Sequence, residues 1–181
     1  LHLLSRRQRQ MCIRDRAYIG INNHEIDLIA PFIEALKCEN VKNSYRLILY
    51  GNTISNEKWN QLGLSEIAEY RGWLDYSKDV STLKDIDVFL QLLDDNNVSK
   101  AGWPNKLGDY LAFGKPVILS PYGDIIDFVK NEKGFFIVEY NKYSILKILQ
   151  EIKDIPYSDL KTMGYANSCL LYTSPSPRDT R

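Results

Sequence analysis

Lys106 and Asp109 are the side chains whose types and spacing point most directly to chemistry. They follow Pro104 and Asn105, which are helix-start signals, and they precede a Gly-Lys-Pro run that ends a helix. The pattern therefore predicts a short helix over residues 105–113. Free backbone N–H groups at Asn105, the helix dipole and the Lys106 ammonium together suit a phosphate group. The Asp109 carboxylate, one turn further on, could accept hydrogen bonds from sugar hydroxyls. The alternative is a solvated Lys–Asp pair, which would contribute only about 0.3–0.5 kcal/mol.

The predicted helix also indicates how this pair is positioned. At about 100° per residue, Leu107 and Leu111 share one face, and the charged pair falls on roughly the opposite face. The leucines can therefore pack against a sheet while the charges face outward. The next apolar run, Val117–Leu119, is short and mostly β-branched, as are strands that are buried on both faces of a parallel sheet.

The alternation of strand and helix extends along most of the chain. Segments with helical spacing of apolar residues separate six short apolar runs, at residues 18–20, 45–50, 67–70, 88–92, 117–119 and 135–138. This order predicts an α/β fold with a parallel sheet covered by helices on both faces. Ligands of such sheets bind outside the carboxyl ends of the strands. The residues expected at those ends include Gly20, Gly51, Gly72, Trp73 and a long polar loop that precedes Asn105.

Other candidate residues are weaker, and two common phosphate motifs are missing. No G-x-G-x-x-G follows the first strand and no G-x-x-x-x-G-K-[ST] occurs in the chain. His24 is interpreted as a turn residue and Cys38 as an inert thiol on an apolar helix face. Trp73 and Trp103 could stack on a base or a sugar, or pack within the fold. The aspartates at residues 85–95 do not converge on one point, and we predict no metal site.

Both ends of the chain resemble translated sequencing adapters. Residues 11–16 match one strand of a transposase adapter read in frame, and residues 169–174 match its opposite strand. We therefore expect residues 1–16 and 169–181 to be adapter-derived and disordered, and residues 17–168 to be one domain of a longer protein. The alternative for these ends is a basic arm that binds nucleic acid and a Ser/Pro-rich tail.

The charge balance changes when the two ends are set aside. The ends hold seven Arg and two Asp of the 23 basic and 23 acidic residues. Residues 17–168 therefore carry 16 basic and 21 acidic residues, which argues against nucleic-acid binding. Cys38 is the single cysteine in this range, so a disulfide framework and a cysteine-ligated zinc are excluded and a cytoplasmic setting is expected. No apolar run approaches the ~20 residues of a membrane span.

A longer motif narrows these alternatives. Residues 106–118, K-L-G-D-Y-L-A-F-G-K-P-V-I, resemble the K-x-x-E-Y-x-A-x-G-x-P-V-I signature in the donor half of GT-B glycosyltransferases of group 1, which include the family 4 enzymes. The D-I-D-V-F-L run at residues 85–90 and the later Gly123 and Asp124 fit the same pattern in the same order. The resemblance implies a Rossmann-like C-terminal domain that binds a nucleotide-diphosphate sugar, with an acceptor domain upstream.

The resemblance also implies roles for individual residues. Lys106 would lie by the donor diphosphate, and Asp109 would replace the glutamate that usually holds the ribose hydroxyls. Gly20 and the turn after it would approach the phosphates, and the segment at residues 72–74 would flank the base. No cofactor or metal is implied, because the nucleotide sugar is a substrate, and no catalytic residue is assigned. The expected donor-binding residues are Lys106, Asp109, Asn105, Gly20, Trp73 and Leu74.

Two departures from the family pattern keep other functions open. Many members have a first glutamate eight positions before the second, where this chain has Ala101. Many members also have an arginine and a lysine in the turn that corresponds to the one after Gly20, and this chain lacks them there. The leading hypothesis is a retaining glycosyltransferase fragment that transfers a sugar to a glycan or lipid acceptor. A non-catalytic partner subunit, which Ala101 favours, and a nucleotide-sugar epimerase are the alternatives. We expect the fragment alone to be inactive and cytoplasmic, with any attachment to the inner membrane face residing in the missing part.

Overall fold

The computed structural model describes residues 14–22, 25–93, 95–96 and 104–173, which contain a parallel six-stranded sheet with helices on both faces. Its strand order, β3-β2-β1-β4-β5-β6, is that of a dinucleotide-binding fold, so the predicted Rossmann-like α/β class is confirmed. The strands are β1 (Arg14–Ile21), β2 (Tyr45–Gly51), β3 (Ala68–Tyr70), β4 (Val88–Gln91), β5 (Val117–Leu119) and β6 (Phe135–Ile137).

The helices begin and end at residues with recognisable signals. Asn141 caps a helix by accepting a hydrogen bond from the Ser144 backbone N–H at 2.9 Å. Gly114, with φ of 61°, follows the helix that was predicted to end there. None of the helices in the described ranges is long and apolar enough for a membrane crossing. The α-helices in these ranges are α1 (Ala30–Leu36), α2 (Asn56–Gln61), α3 (Val80–Leu83), α4 (Asn105–Ala112), α5 (Ile125–Val129), α6 (Lys142–Asp154) and α7 (Tyr157–Thr173), with 3-10 turns at Glu25–Ile29 and Leu64–Glu66.

Side chains of β2, β4 and β5 alternate between two apolar cores. On β4, Val88 and Leu90 belong to the core that includes residues of α1 and α6. Phe89 belongs to the core on the other face, where its ring stacks on that of Tyr110 in α4 with centroids 4.4 Å apart. The two leucines of α4 that were predicted to face the sheet lie in this second core. The position of α4 is therefore fixed by its apolar face.

The expected disorder of residues 1–16 and 169–181 stays a prediction, and the structure describes only residues 14–16 and 169–173 of these two ends. Residues 14–16 belong to β1, in which Arg14 and Asp15 pair with Tyr45 and Arg46 of β2. The buried Asp15 carboxylate also accepts hydrogen bonds from the Arg46 guanidinium at 3.0 and 2.9 Å. The last residues described extend α7, in which Leu170 packs against the core around α4. The adapter origin of these residues stays a prediction.

Helix α7 is attached to the amino ends of β5 and β6. Asn167 is fully buried, and its Nδ2 donates to the carbonyl oxygens of Lys115 at 2.9 Å and Gly134 at 3.0 Å. At Gly164 the helix backbone comes so close to Gly114 that an added Cβ would lie 2.1 Å from the Gly114 carbonyl oxygen. This contact requires a residue without a side chain.

We expect Gly164→Ala to lower the free energy of unfolding by about 1–3 kcal/mol, because the new methyl group would meet backbone that cannot rotate away. Gly108→Ala in α4 is the matched control, since an added Cβ there would have nothing within 4 Å. This control should raise stability by about 0.5–1 kcal/mol through helix propensity. Urea unfolding followed by circular dichroism measures both, and equal stability of the two variants would contradict the close α4–α7 contact.

Candidate functional site

The sheet reverses its direction of winding between β1 and β4, and in sheets of this type the carboxyl ends of the two strands at this point border a ligand-binding crevice. The chain leaves β1 through Asn22, whose side-chain Oδ1 accepts a hydrogen bond from the Glu25 N–H at 2.8 Å and whose carbonyl accepts from Ile26 at 3.0 Å. These bonds set Glu25 at the start of the 3-10 turn. Gly20, two residues before Asn22, lies where the β1–β2 register is irregular, which is a common place for a glycine.

Lys106 on α4 reaches the segment that follows β1. Its Nζ lies 3.9 Å from Oε1 of Glu25, and each side chain is about one-third exposed, at 30% and 33%. Burial lowers the pKa of Lys106 below its usual range, and the Glu25 carboxylate acts in the opposite direction. The other Glu25 oxygen, Oε2, is buried and has no hydrogen-bond partner among the described residues. A partly desolvated ammonium therefore stands beside an incompletely satisfied carboxylate, at a place where an anion could exchange with that carboxylate.

The start of α4 adds further positive potential. Pro104 is the N-cap residue and its side chain offers no acceptor to the first N–H groups of the helix. Asn105 follows it and is exposed, and Lys106 is the second helical residue. The positive end of the helix dipole and the lysine thus lie at the same end of one helix.

Asp109 has a partner that the sequence did not predict. The Tyr76 hydroxyl donates a hydrogen bond to Oδ2 of Asp109 at 2.7 Å. Tyr76 lies between β3 and α3, and 44% of its surface is exposed. Burial of the phenol and the neighbouring Asp109 both raise the pKa of Tyr76. An exposed tyrosine three residues after the Gly72–Trp73 pair was the only local signal, and nothing in the spacing linked it to α4.

The segment after β3 brings some of the predicted residues to the surface and buries another. Gly72 has φ of 76° and its carbonyl oxygen accepts a hydrogen bond from the Gly51 N–H at 2.9 Å, which holds the turn beside β2. Trp73 is 71% exposed, so its ring is available to a ligand. Leu74 is only 6% exposed and packs in the core around α4, so only its backbone can face a ligand.

Two buried polar residues lie at the ends of β4 and β5, and one of them, Gln91, was not predicted. Ser120, which is fully buried, accepts a hydrogen bond through Oγ from the Leu93 N–H at 2.8 Å. Gln91 ends β4 and is 4% exposed, and its Oε1 has no partner in the described part of the chain. A glutamine at the end of an apolar strand is a sequence signal that could have identified this position.

Several predicted positions lie outside the described residues, namely His24, Ala101, Trp103 and Asp94. Among the residues that are described, no group of three His, Cys, Asp or Glu side chains could hold a metal ion. A cavity of about 340 Å³ lies at the opposite edge, where Asp87 and Pro116 precede β4 and β5, and α7 forms its other wall. It shares no lining residue with the Lys106–Asp109 region, so the charged crevice and this cavity are separate features.

Comparisons with known proteins agree on a family and a fold. Residues 16–153 match the family model for glycosyl transferases of group 1. No curated protein sequence matches the chain. Among solved structures, Anabaena HepE in complex with UDP and glucose superposes with a TM-score of 0.63 at 13% identity, over 93% of this chain and 47% of HepE.

Two further structures show how much of such a protein this chain represents. The C-terminal domain of LpcC, a group 1 glycosyl transferase from Francisella tularensis, matches with a TM-score of 0.63 at 16% identity over 90% of this chain and 85% of that domain. Sucrose-phosphate synthase from Thermosynechococcus elongatus matches with a TM-score of 0.66 at 15% identity over 88% of this chain and 41% of its own. The chain therefore spans about half the length of the larger proteins that it resembles.

We expect the raised pKa of Tyr76 to make stability fall at alkaline pH. The folded state keeps this phenol protonated, whereas the unfolded chain releases the proton near pH ~10. The contribution of Tyr76 to the free energy of unfolding is therefore complete below that pH, and it is lost as the pH rises further. Urea unfolding at several pH values from 8 to above 10 should show a smaller alkaline loss for Tyr76→Phe than for the unaltered chain. A stability difference between the two that stays constant with pH would contradict this.

Proposed function

Because the chain belongs to the glycosyl transferases of group 1, we propose that it is the half of a retaining glycosyltransferase that binds a nucleotide-diphosphate sugar. The observation that carries the proposal is the position of Lys106 at the start of α4, beside the crevice between β1 and β4. A cation and a helix N-terminus at a topological switch point suit a diphosphate. The donor is a substrate, and we propose no cofactor or metal.

The side chains around the crevice suggest how the donor would be held. The diphosphate would lie on the first turn of α4, within reach of Lys106 and close to Asn105, and the backbone at Gly20 would approach it from β1. Asp109 would accept hydrogen bonds from the ribose, and the exposed Trp73 ring could stack on the base. HepE was solved with UDP and glucose, which supports a uridine nucleotide as the first probe.

The same geometry suggests the contribution of the chain to transfer. When the bond between the sugar and the diphosphate breaks, negative charge develops on the leaving diphosphate. Preorganised positive charge at Lys106 and the α4 N-terminus would stabilise that charge without reorganising in the transition state. Glu25, 3.9 Å from Lys106, would have to give up this ion pair or share it when the diphosphate arrives.

We expect Lys106→Ala and Asp109→Ala each to weaken binding of UDP at least about tenfold, because each removes a charged partner of the ligand. Lys147→Ala is the matched control, since Lys147 is an exposed lysine on α6. Calorimetric titration of the full chain with UDP, GDP and their glucose or mannose conjugates measures the affinities. Loss of UDP and GDP binding in the control as well, or unchanged binding in both site variants, would contradict the proposed site.

A change at Glu25 should act in the opposite direction. Glu25→Gln removes the carboxylate that competes for Lys106, so we expect UDP to bind about three- to tenfold more tightly. Glu34→Gln, an exposed glutamate on α1, is the control and should leave the affinity unchanged. Weaker binding by Glu25→Gln would mean that Glu25 helps to hold the ligand rather than opposing it.

We propose that the glycan or lipid acceptor binds in the half of the protein that this chain does not span. The chain covers 47% of HepE, and the proposed active site would lie between two halves. Attachment to the inner membrane face, if the protein has it, would belong to that other half, and the location of this domain is proposed to be cytoplasmic. Ala101 favours a second candidate, a donor-binding subunit without catalytic activity.

We expect the chain alone to bind the donor but to transfer no sugar. An assay with radiolabelled UDP-glucose and a mixture of glycan and lipid acceptors should give no labelled product. Joining the chain to the missing half should restore transfer if the protein is an enzyme, and should not if it is a non-catalytic subunit. Sugar transfer by the chain in isolation would contradict the proposal that the acceptor half is required.

A further inference from the structure

Tyr76 has no role in the function proposed above, yet its hydroxyl donates a hydrogen bond to Asp109, the residue proposed to bind the ribose. We propose that Tyr76 is a specificity-determining residue of the donor site, and that its phenol oxygen and the Asp109 carboxylate together form a receptor for the two adjacent hydroxyls of a ribose. This inference rests on the proposed donor site and adds the residue that would distinguish ribose from deoxyribose.

The hydrogen-bonding capacity of the pair fits a diol. The Tyr76 hydroxyl uses its proton to bond Oδ2 of Asp109, and its oxygen keeps a lone pair that can accept another hydrogen bond. Oδ1 of Asp109 takes no part in this bond. The pair therefore presents two acceptors side by side, with no donor left over that would oppose hydroxyl groups. A ribose offers two adjacent donors, whereas a 2′- or 3′-deoxyribose offers one.

The pair is also open to a ligand. Tyr76 is 44% exposed, although its hydroxyl is held by a hydrogen bond of 2.7 Å. Asp109 lies one turn after Lys106 on α4, so a ligand whose phosphates lie at the helix start could extend its ribose towards the pair. Trp73, three residues before Tyr76 on the same loop, is exposed and could contact the base.

The loop that carries Tyr76 is held in place before any ligand arrives. Leu74 is buried in the core on one side of Tyr76. Immediately before Tyr76, the Asp75 N–H donates to Oδ2 of Asp79 at 2.8 Å, and immediately after it the Ser77 N–H donates to Oδ1 of Asp75 at 2.9 Å. A tyrosine that is fixed in this way loses little conformational entropy on binding, so its hydroxyl can contribute to affinity.

The side chain of Asp109 gives a reason why a second residue is needed. An aspartate is one methylene shorter than the glutamate found in the family pattern, so its carboxylate stays closer to the α4 backbone. The Tyr76 hydroxyl fixes the orientation of that carboxylate and adds an acceptor farther from the helix. The two residues would then cover the diol that a single longer carboxylate covers elsewhere.

The test measures the affinity of the full chain for UDP, 2′-deoxy-UDP and 3′-deoxy-UDP, and for the matching guanosine nucleotides, by calorimetry. We expect the unaltered chain to prefer the ribose form. Tyr76→Phe should weaken UDP binding about three- to tenfold, the range expected for one lost hydrogen bond, while the affinity for at least one deoxy form stays within about twofold. Tyr76→Phe combined with Asp109→Asn should show that the two effects are not additive.

Tyr143→Phe is the control, because Tyr143 is an 81% exposed tyrosine at the start of α6, and it should change no affinity. If Tyr76→Phe lowers the affinities for UDP and for both deoxy forms equally, Tyr76 has a merely structural role and the inference is overturned. Tighter UDP binding would mean that Tyr76 obstructs Asp109, which also overturns it. If the unaltered chain binds none of these nucleotides, the donor site itself fails and this inference fails with it; binding without ribose preference overturns this inference alone.

Discussion

The reversal of winding between β1 and β4 is the constraint on which the candidate site depends. On each side of this point the connections run to opposite faces of the sheet, so no crossover helix covers the carboxyl ends of these two strands. Only side chains from the flanking segments can reach across the gap. Glu25 does so from the segment after β1 and Lys106 from α4, and their contact is therefore a consequence of strand order.

The contact between Lys106 and Glu25 affects the free energy with which an anion would bind at the crevice. An incoming anion would meet a lysine that already has a carboxylate 3.9 Å away and is partly withdrawn from water. The binding free energy of this anion would be the difference between its own attraction to Lys106 and that of Glu25. The change in solvation of Glu25 on its release would add to this difference. The helix dipole would favour the ligand, because its effect is confined to the first turn of α4. Such a site would favour a multiply charged ligand, since a singly charged anion would gain little by replacing Glu25.

The parts of the site that could be predicted from the sequence are those encoded within one helix or turn. Helix α4 begins at Asn105 and ends before Gly114 because proline and glycine signals act locally, and a period of 3.6 residues is enough to place Lys106 and Asp109 away from the sheet. Tyr76 is 33 residues from Asp109, and their contact depends on how β2, β3 and α4 pack. Leu74 was expected beside a base, but its side chain packs in the apolar core, because burial of a leucine side chain is favourable. The composition of residues 14–16 did not predict that they pair with β2, because backbone pairing does not depend on composition.

The attachment of α7 through Asn167 lies at the amino ends of β5 and β6, on the edge of the sheet away from the crevice. The residues that attach α7 to the sheet are thus separated in space from the side chains proposed to bind the ligand. Energetic effects at well-separated sites usually add. Substitutions that change the proposed ligand preference at one edge would then leave the attachment of α7 at the other edge intact, so that one scaffold could serve different substrates and would be a suitable starting point for directed evolution.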